Sequence, residues 1–391
     1  FGIGMSLIAI PFYYAGDFFS RFCKGETAKE VMRHWFCSLL SILSAALTVV
    51  VAYLICRTRL DTYKSALCSI IIGFASPVWV YAEYFFNTVL TTFLLVLLFW
   101  RTFKDAKLYN SLIIGVIVSL LFLVRFDTII AIFLLVVYYY LLYRNKQSIL
   151  MISAWLFLAL IIAAYYNYIR TGDILETGYE NLWDSNLLEG LRIYLLSPFK
   201  SIFYYFPLLI LTFFYTFYKL VILFRQEQES IKIKDILISW IIFLSYLLLY
   251  SFWRDKEINL EYGPRLMVPY LILLFISIYS FAYKEINKIL FFIIFLFSVF
   301  IQLCGTSVVI VNMFYLTLYN HNRPLTLLES IFGKVYIQLE AIAIYGSDVI
   351  MTRLYGGEYI IILYAIISFI FFTRALYYVR SKKQDKERGT E

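Results

Sequence analysis

Charge is scarce in this chain. Only 15% of its 391 residues are charged, where a soluble domain carries roughly a quarter, and that shortfall excludes a water-soluble globule. Proline (7) and glycine (16) are also few, so long apolar runs go uninterrupted. Those runs lack the alternation of apolar and polar residues that a membrane β-barrel needs. The five cysteines, Cys23, Cys37, Cys56, Cys68 and Cys304, contain no CxxC spacing and read as small packed hydrophobes, with Cys23 and Cys37 the one pair open to bonding. The two histidines, His34 and His321, have no partner at ligand spacing, so no metal site of His and Cys is expected. No Walker A, GxGxxG, HExxH or GxSxG stands in a suitable context, which leaves nucleotide-driven pumping and zinc or serine hydrolysis without support. A basic start and a small-residue cleavage site are missing from the first residues, so they are not a signal peptide.

What the chain has instead is apolar and aromatic residues, 62% and 20% of the total, with mean hydropathy +0.79. Runs long enough to cross about 30 Å of hydrocarbon recur. They predict an all-α polytopic transmembrane bundle with about eleven spans, at 36–56, 65–82, 84–100, 109–124, 127–143, 148–166, 201–224, 235–252, 266–283, 288–311 and 358–378, in a single integral-membrane domain over 1–391. If the basic tail 380–391 is cytoplasmic, every short inside loop is basic, carrying Arg57, Arg59, Lys64, Arg101, Lys104, Lys107, Arg144, Lys146, Arg225, Lys232, Lys234, Lys284 and Lys288. This is the positive-inside pattern of a multi-pass cell-membrane protein, and it removes the nucleic-acid partner that a net charge of +8 suggests. An odd number of spans ending inside places Phe1 outside, within an apolar stretch, and predicts a preceding span.

Three segments on the outer side are longer than a turn needs, 1–35, 167–200 and 312–357, with a shorter one at 253–265. They are rich in Tyr, Trp and Leu, unlike disordered chain, so function is expected there. Segment 1–35 reads as the end of a first external loop, interfacial or re-entrant because Gly2, Gly4, Pro11 and Gly16 interrupt it. In the shorter loop, Gly263-Pro264 ends the irregular chain and Arg265 falls in the first turn of the next helix. There it opposes the helix dipole, and an anion such as a phosphate gives it a reason to be present; snorkelling or a pair with Glu261 is the structural alternative. Lys200, in Ser197-Pro198-Phe199-Lys200, offers a second cation at the same depth, or a snorkelling lysine in an aromatic belt. Tyr179, Tyr262, Glu261 and Glu83 are the candidate groove residues around them, Glu83 being either a site carboxylate or merely exposed. Arg125 and Asp127 read as a pair closing a tight turn.

Taken in order, Gly2-Ile3-Gly4-Met5 through Pro11-Phe12-Tyr13, Ser76-Pro77-Val78-Trp79, Gly178-Tyr179, Ser197-Pro198-Phe199-Lys200 and Tyr262-Gly263-Pro264-Arg265 resemble the C-type superfamily of membrane glycosyltransferases. Relatives there include protein O-mannosyltransferases and the lipid A aminoarabinose transferase. The resemblance implies inverting transfer of a sugar from a polyprenyl phosphate donor to a hydroxyl on a glycan, lipid or protein, at the extracytoplasmic face, for cell-envelope glycosylation. It places the catalytic base, an acidic residue of the first external loop, before Phe1, and makes Arg265 and Lys200 the donor-phosphate ligands. Asp17 does not match that catalytic position, and Lys200 stands where relatives often carry Arg. No cofactor is implied, and no ligand spacing argues for a divalent metal. The alternatives are an O-antigen polymerase or ligase, and a flippase or other transporter of polyprenyl-linked glycans.

Overall fold

The computed structural model describes residues 2–176, 183, 185–223, 230–253, 261–282, 288–307 and 333–339. The candidate span 358–378 and the tail 380–391 lie outside them. All regular structure among the described residues is helical: α1 Gly4–Ser20, α2 Glu26–Arg57, α3 Thr62–Phe74, α4 Val78–Ala82, α5 Asn87–Thr102, α6 Leu108–Val124, α7 Ile129–Tyr143, α8 Lys146–Thr171, α9 Leu187–Leu196, α10 Ile202–Tyr205, α11 Leu208–Leu223, α12 Ser230–Ser251, α13 Val268–Ala282 and α14 Lys288–Thr306. A further helix covers 333–339. Five of these segments are long and apolar enough to cross a membrane, which makes the chain a polytopic helical membrane protein.

Within the described residues the candidate spans up to 288–311 fall on helices, but two of them are broken. Ser76-Pro77 divides 65–82 into α3 and α4, and Phe206-Pro207 divides 201–224 into α10 and α11, because proline removes one ladder bond and clashes with the preceding turn. Ser76 repairs the first break by donating to Ile72 at 2.6 Å, while Ser298 on α14 donates to the Ala75 carbonyl at 2.9 Å. In hydrocarbon such side-chain bonds replace the water that would otherwise satisfy the backbone. The segment 1–35 is helical over most of its length, as α1 and the first turns of α2. Helix α1 tolerates Pro11 because its small buried residues dock closely. A Cβ on Gly4 would lie 2.6 Å from the Leu123 carbonyl carbon, and one on Gly16 would lie 2.9 Å from the Arg33 backbone. Asp17 and Arg33 close the hairpin at 2.9 Å.

The bundle is built around α13. Its residues from Val268 to Tyr279 include ten apolar or aromatic side chains that are at most 1% exposed, and a helix apolar on every face has to be enclosed on every face. Helices α2, α3, α5, α11 and α12 enclose it. Beside them α6 and α8 pack closely through Gly115, which seats Trp155, and through Ser119, which donates to the Trp155 carbonyl at 2.7 Å.

The polar groups of the interior are concentrated at the two ends. At the end where α2, α5, α7 and α13 finish, Asp235 of α12 is 2% exposed, and both Arg59 and Tyr138 bond to its carboxylate. The Arg59 guanidinium also lies 5.5 Å from the Phe103 ring centre. Removing one member of a buried ion pair strands the other charge. Asp235→Ala is therefore expected to cost about 3 kcal/mol of unfolding free energy in micelles, with most of it recovered when Arg59→Met is combined with Asp235→Leu. A single-mutant loss under about 1 kcal/mol would make the pair no more than a surface bridge.

Candidate functional site

The opposite end gathers the turns α3–α4–α5, α6–α7, α9–α10–α11 and α12–α13, the end of α14 and the 333–339 helix. Tyr262 organises it. The Tyr262 backbone carbonyl accepts from the Tyr81 hydroxyl at 2.6 Å, its own hydroxyl donates to the Ile301 carbonyl at 2.5 Å, and its ring meets Tyr205 edge-on at 4.9 Å. Gln302 donates to the Tyr205 carbonyl at 2.7 Å, and the Tyr205 hydroxyl donates to the Pro198 carbonyl at 3.0 Å. Two glycines make the stack possible. Gly263 has φ +67°, and a Cβ there would lie 2.5 Å from the Tyr205 ring, while one on Gly305 would lie 2.6 Å from the Tyr262 ring. Val335 of the 333–339 helix packs in the same apolar cluster as Tyr205 and Tyr262.

This frame delivers Arg265 to the short 3-10 turn Arg265–Met267 that opens α13. Its guanidinium bonds Glu261 at 2.6 Å and lies over the Phe86 ring, 4.7 Å from the centre. The side chains of Arg265 and Glu261 are 20% and 18% exposed. The arginine therefore neither snorkels freely nor disappears into the core. Its Nε is buried and has no hydrogen-bond partner among the described residues, so the group keeps donor capacity aimed into the protein. The pair with Glu261 is the one the i,i+4 spacing anticipates.

The other candidates are placed differently from one another. Lys200 is 1% exposed, which rules out a snorkelling lysine. It sits in the tight turn that Ser197 and Ser201 hold together: Lys200 and Ser201 N–H donate to the Ser197 carbonyl at 3.2 and 2.7 Å. Tyr262 is 3% exposed with its hydroxyl committed to Ile301, so it forms the frame rather than a groove wall. Its stacking face is taken by protein, as is that of Tyr205. Glu83 follows α4 in the loop that supplies Phe86. It lies at the protein surface, and the atoms packed around it push its carboxyl up to about 8 by desolvation. Tyr179 lies outside the described residues.

Arg125 and Asp127 pair at 2.7 Å in the α6–α7 turn, and Tyr250 of α12 bonds both of them. Tyr246 donates to the Asp127 carbonyl at 2.7 Å. The turn is thus tied to α12 as well as to itself. All five cysteines are free thiols, and among the described residues no group of three or more His, Cys, Asp and Glu is placed to hold a metal.

Sequence reasoning missed Phe86, Tyr81 and Gln302. Gln302 carried a usable signal, being a lone amide deep in an apolar 19-residue helix. Phe86 carried none, since a cation over its ring is a contact across distant segments.

No family model and no curated protein matches this chain. Among solved structures it is similar to ArnT from Cupriavidus metallidurans in the apo state, at 17% identity and a TM-score of 0.44, over 80% of this chain and 61% of that one. The chain spans about three fifths of the length of that structure.

Gly263→Ala adds a collision to the cost of a left-handed backbone, whereas Gly172→Ala, at φ +82° with nothing within 4 Å, adds only the latter. Gly263→Ala should therefore destabilise the detergent-solubilised protein by at least about 1 kcal/mol more than Gly172→Ala in thermal unfolding. Equal losses would mean that the Tyr205 ring yields to the new methyl.

Proposed function

We propose that this chain is a membrane glycosyltransferase that moves a sugar from a polyprenyl phosphate to an acceptor hydroxyl, with inversion at the anomeric carbon. The observation that carries the reading is Arg265: a cation held at the mouth of the central helix by Glu261 and Phe86, with one guanidinium N–H that meets no acceptor among the described residues. Free N–H groups at a helix start favour an anion, and a planar guanidinium binds phosphate oxygens in pairs. The order of sequence motifs along the chain supports the same reading.

In such a reaction a carboxylate takes the acceptor proton and the hydroxyl attacks opposite the lipid phosphate, which leaves as an anion. That leaving group needs no acid, only cations that strengthen their hold as its charge grows. Arg265 does this from the entrance of α13, and Lys200 supports it from the Ser197–Ser201 turn. Holding Arg265 in place beforehand by Glu261 and Phe86 saves the cost of ordering a long side chain during the reaction. The apolar surfaces between spans take the prenyl tail, so donor and membrane lipid enter from the same side.

A second reading rests on the ion pair itself: Arg265 as a brace that fixes the loop to the start of α13. The two separate in one experiment on membranes containing the full chain, supplied with labelled polyprenyl phosphate sugars. Loss of one or two charge-assisted hydrogen bonds in the transition state is expected to lower transfer by Arg265→Ala about ten- to a hundredfold, with abundance and thermal midpoint nearly unchanged. Arg265→Lys should recover part of the activity, because the planar fork is lost. A variant that transfers normally but melts early would make Arg265 a brace. In a strain lacking the gene, one missing sugar fits a transferase, short chains a polymerase, and cytoplasmic accumulation of lipid-linked glycan a flippase.

A further inference from the structure

The segment Phe126–Tyr143, which includes α7, and helix α8 are both long and apolar enough to cross a membrane. The turn between them lies at the end of the bundle away from the tyrosine frame, and from that turn they diverge. Gly115 draws Trp155 of α8 onto α6, so α8 packs along α6 and barely touches α7. The gap is an open groove of about 550 Å³, walled from Ile129 to Tyr140 on α7 and from Ile149 to Leu156 on α8. Its lining is apolar apart from Ser153 and the Tyr140 hydroxyl. At 1.5 Å of rise per residue the α7 wall is about 17 Å long, close to the depth of one leaflet, which is half of a hydrocarbon core of about 30 Å.

Two cations stand at the mouth of this groove. Tyr140 lines its end, and the Arg144 guanidinium lies over the same ring, 5.7 Å from the centre. Lys146 opens α8, three residues before Ile149. Both are exposed, and neither has an ion-pair partner among the described residues. Other cations at this end are matched within the protein: Arg59 by Asp235, Lys64 by Asp61 and Lys107 by Asp105. The turn is fixed without Arg144 and Lys146. Asn145 accepts from the Gln147 and Ser148 N–H groups at 3.0 and 3.2 Å and donates to the Ala106 carbonyl at 3.0 Å.

Arg144 takes φ +53° and is the one residue other than glycine with positive φ among the described residues. Glycine fills such a position without strain, so the arginine side chain has a use that offsets the strain. A cation suits the negative end of α7, but Lys146 opposes the dipole at the start of α8. The helix ends therefore account for one of the two charges and not for the pair.

We propose that the groove binds an anionic phospholipid from the leaflet at this end, with an acyl chain between α7 and α8 and the headgroup phosphate on Arg144 and Lys146. The lipid fills the space that α8 leaves by leaning on α6. The site is at the opposite end of the bundle from Arg265, so it stands apart from the transferase reading.

The test follows the thermal midpoint of the full chain in micelles titrated with dioleoylphosphatidylglycerol, dioleoylphosphatidylcholine and glycerol 3-phosphate. Phosphatidylglycerol should raise the midpoint saturably, phosphatidylcholine much less, and glycerol 3-phosphate should compete only weakly. At about fivefold for each cation near a lipid surface, Arg144→Gly combined with Lys146→Gln should weaken phosphatidylglycerol about twenty- to thirtyfold. Glycine suits the left-handed backbone, so the lipid-free midpoint should stay close to wild type and a lost response is not lost folding. Ser153→Phe, which fills the groove, should abolish the response with both cations in place. An equal response to the two phospholipids, or wild-type affinity for phosphatidylglycerol in the double variant, would overturn the proposal. Competition by glycerol 3-phosphate as strong as by the lipid would make this a free-anion site and overturn it too. A lipid-free dimer that Ser153→Phe dissociates would make the groove a contact between copies of the chain instead.

Discussion

The enclosure of α13 is the constraint on which the rest of the structure depends. A helix apolar on every side has no face to offer to polar surroundings, so its neighbours must close around it and its ends become the only places where polar chemistry can begin. At one end Gly263-Pro264 turns the chain into the helix and leaves Arg265 at its mouth. Because α13 cannot shift without exposing its surface, that mouth is a fixed point. The tyrosine frame, the Ser197–Ser201 turn and the 333–339 helix are all assembled against it.

Polar groups are spent at the two ends in different ways. The Arg59, Asp235 and Tyr138 cluster is closed upon itself, with the arginine also capped by Phe103. At the other end Arg125 and Asp127 are tied to each other and to Tyr250, and one Arg125 nitrogen is buried without a hydrogen-bond partner among the described residues. Arg265 is paired with Glu261 and covered by Phe86, and its Nε meets no acceptor among the described residues. Closed networks hold helices in register, whereas an arrangement with spare donor capacity is suited to a ligand.

Much of this was legible in the sequence. Apolar runs located the helices because hydrocarbon length is a strong filter, and a pair of Arg265 with Glu261 stood in the sequence as the structural alternative to a phosphate. Helix α1 was not legible, since its glycines and Pro11 argue locally against a helix and only close packing on α2 and α6 overrides them. The breaks at Pro77 and Pro207 hide inside continuous hydrophobicity. The frame was hidden for another reason: Tyr81 with Tyr262, Tyr205 with Gly263 and Gly333 with Pro198 are contacts between distant segments, and neither periodicity nor motif spacing records them. For the same reason Tyr262 read as a ligand-facing tyrosine when both its ring and its hydroxyl are occupied by protein.

The most direct test of a lipid-phosphate site at the mouth of α13 is electron cryo-microscopy of the full chain in lipid nanodiscs with a polyprenyl phosphate bound. The account predicts phosphate density within hydrogen-bonding distance of the Arg265 guanidinium, with the prenyl chain leaving between neighbouring spans. Phosphate density at the other end of the bundle, beside Arg57 and Lys104, with the Arg265 donor still unfilled, would contradict it.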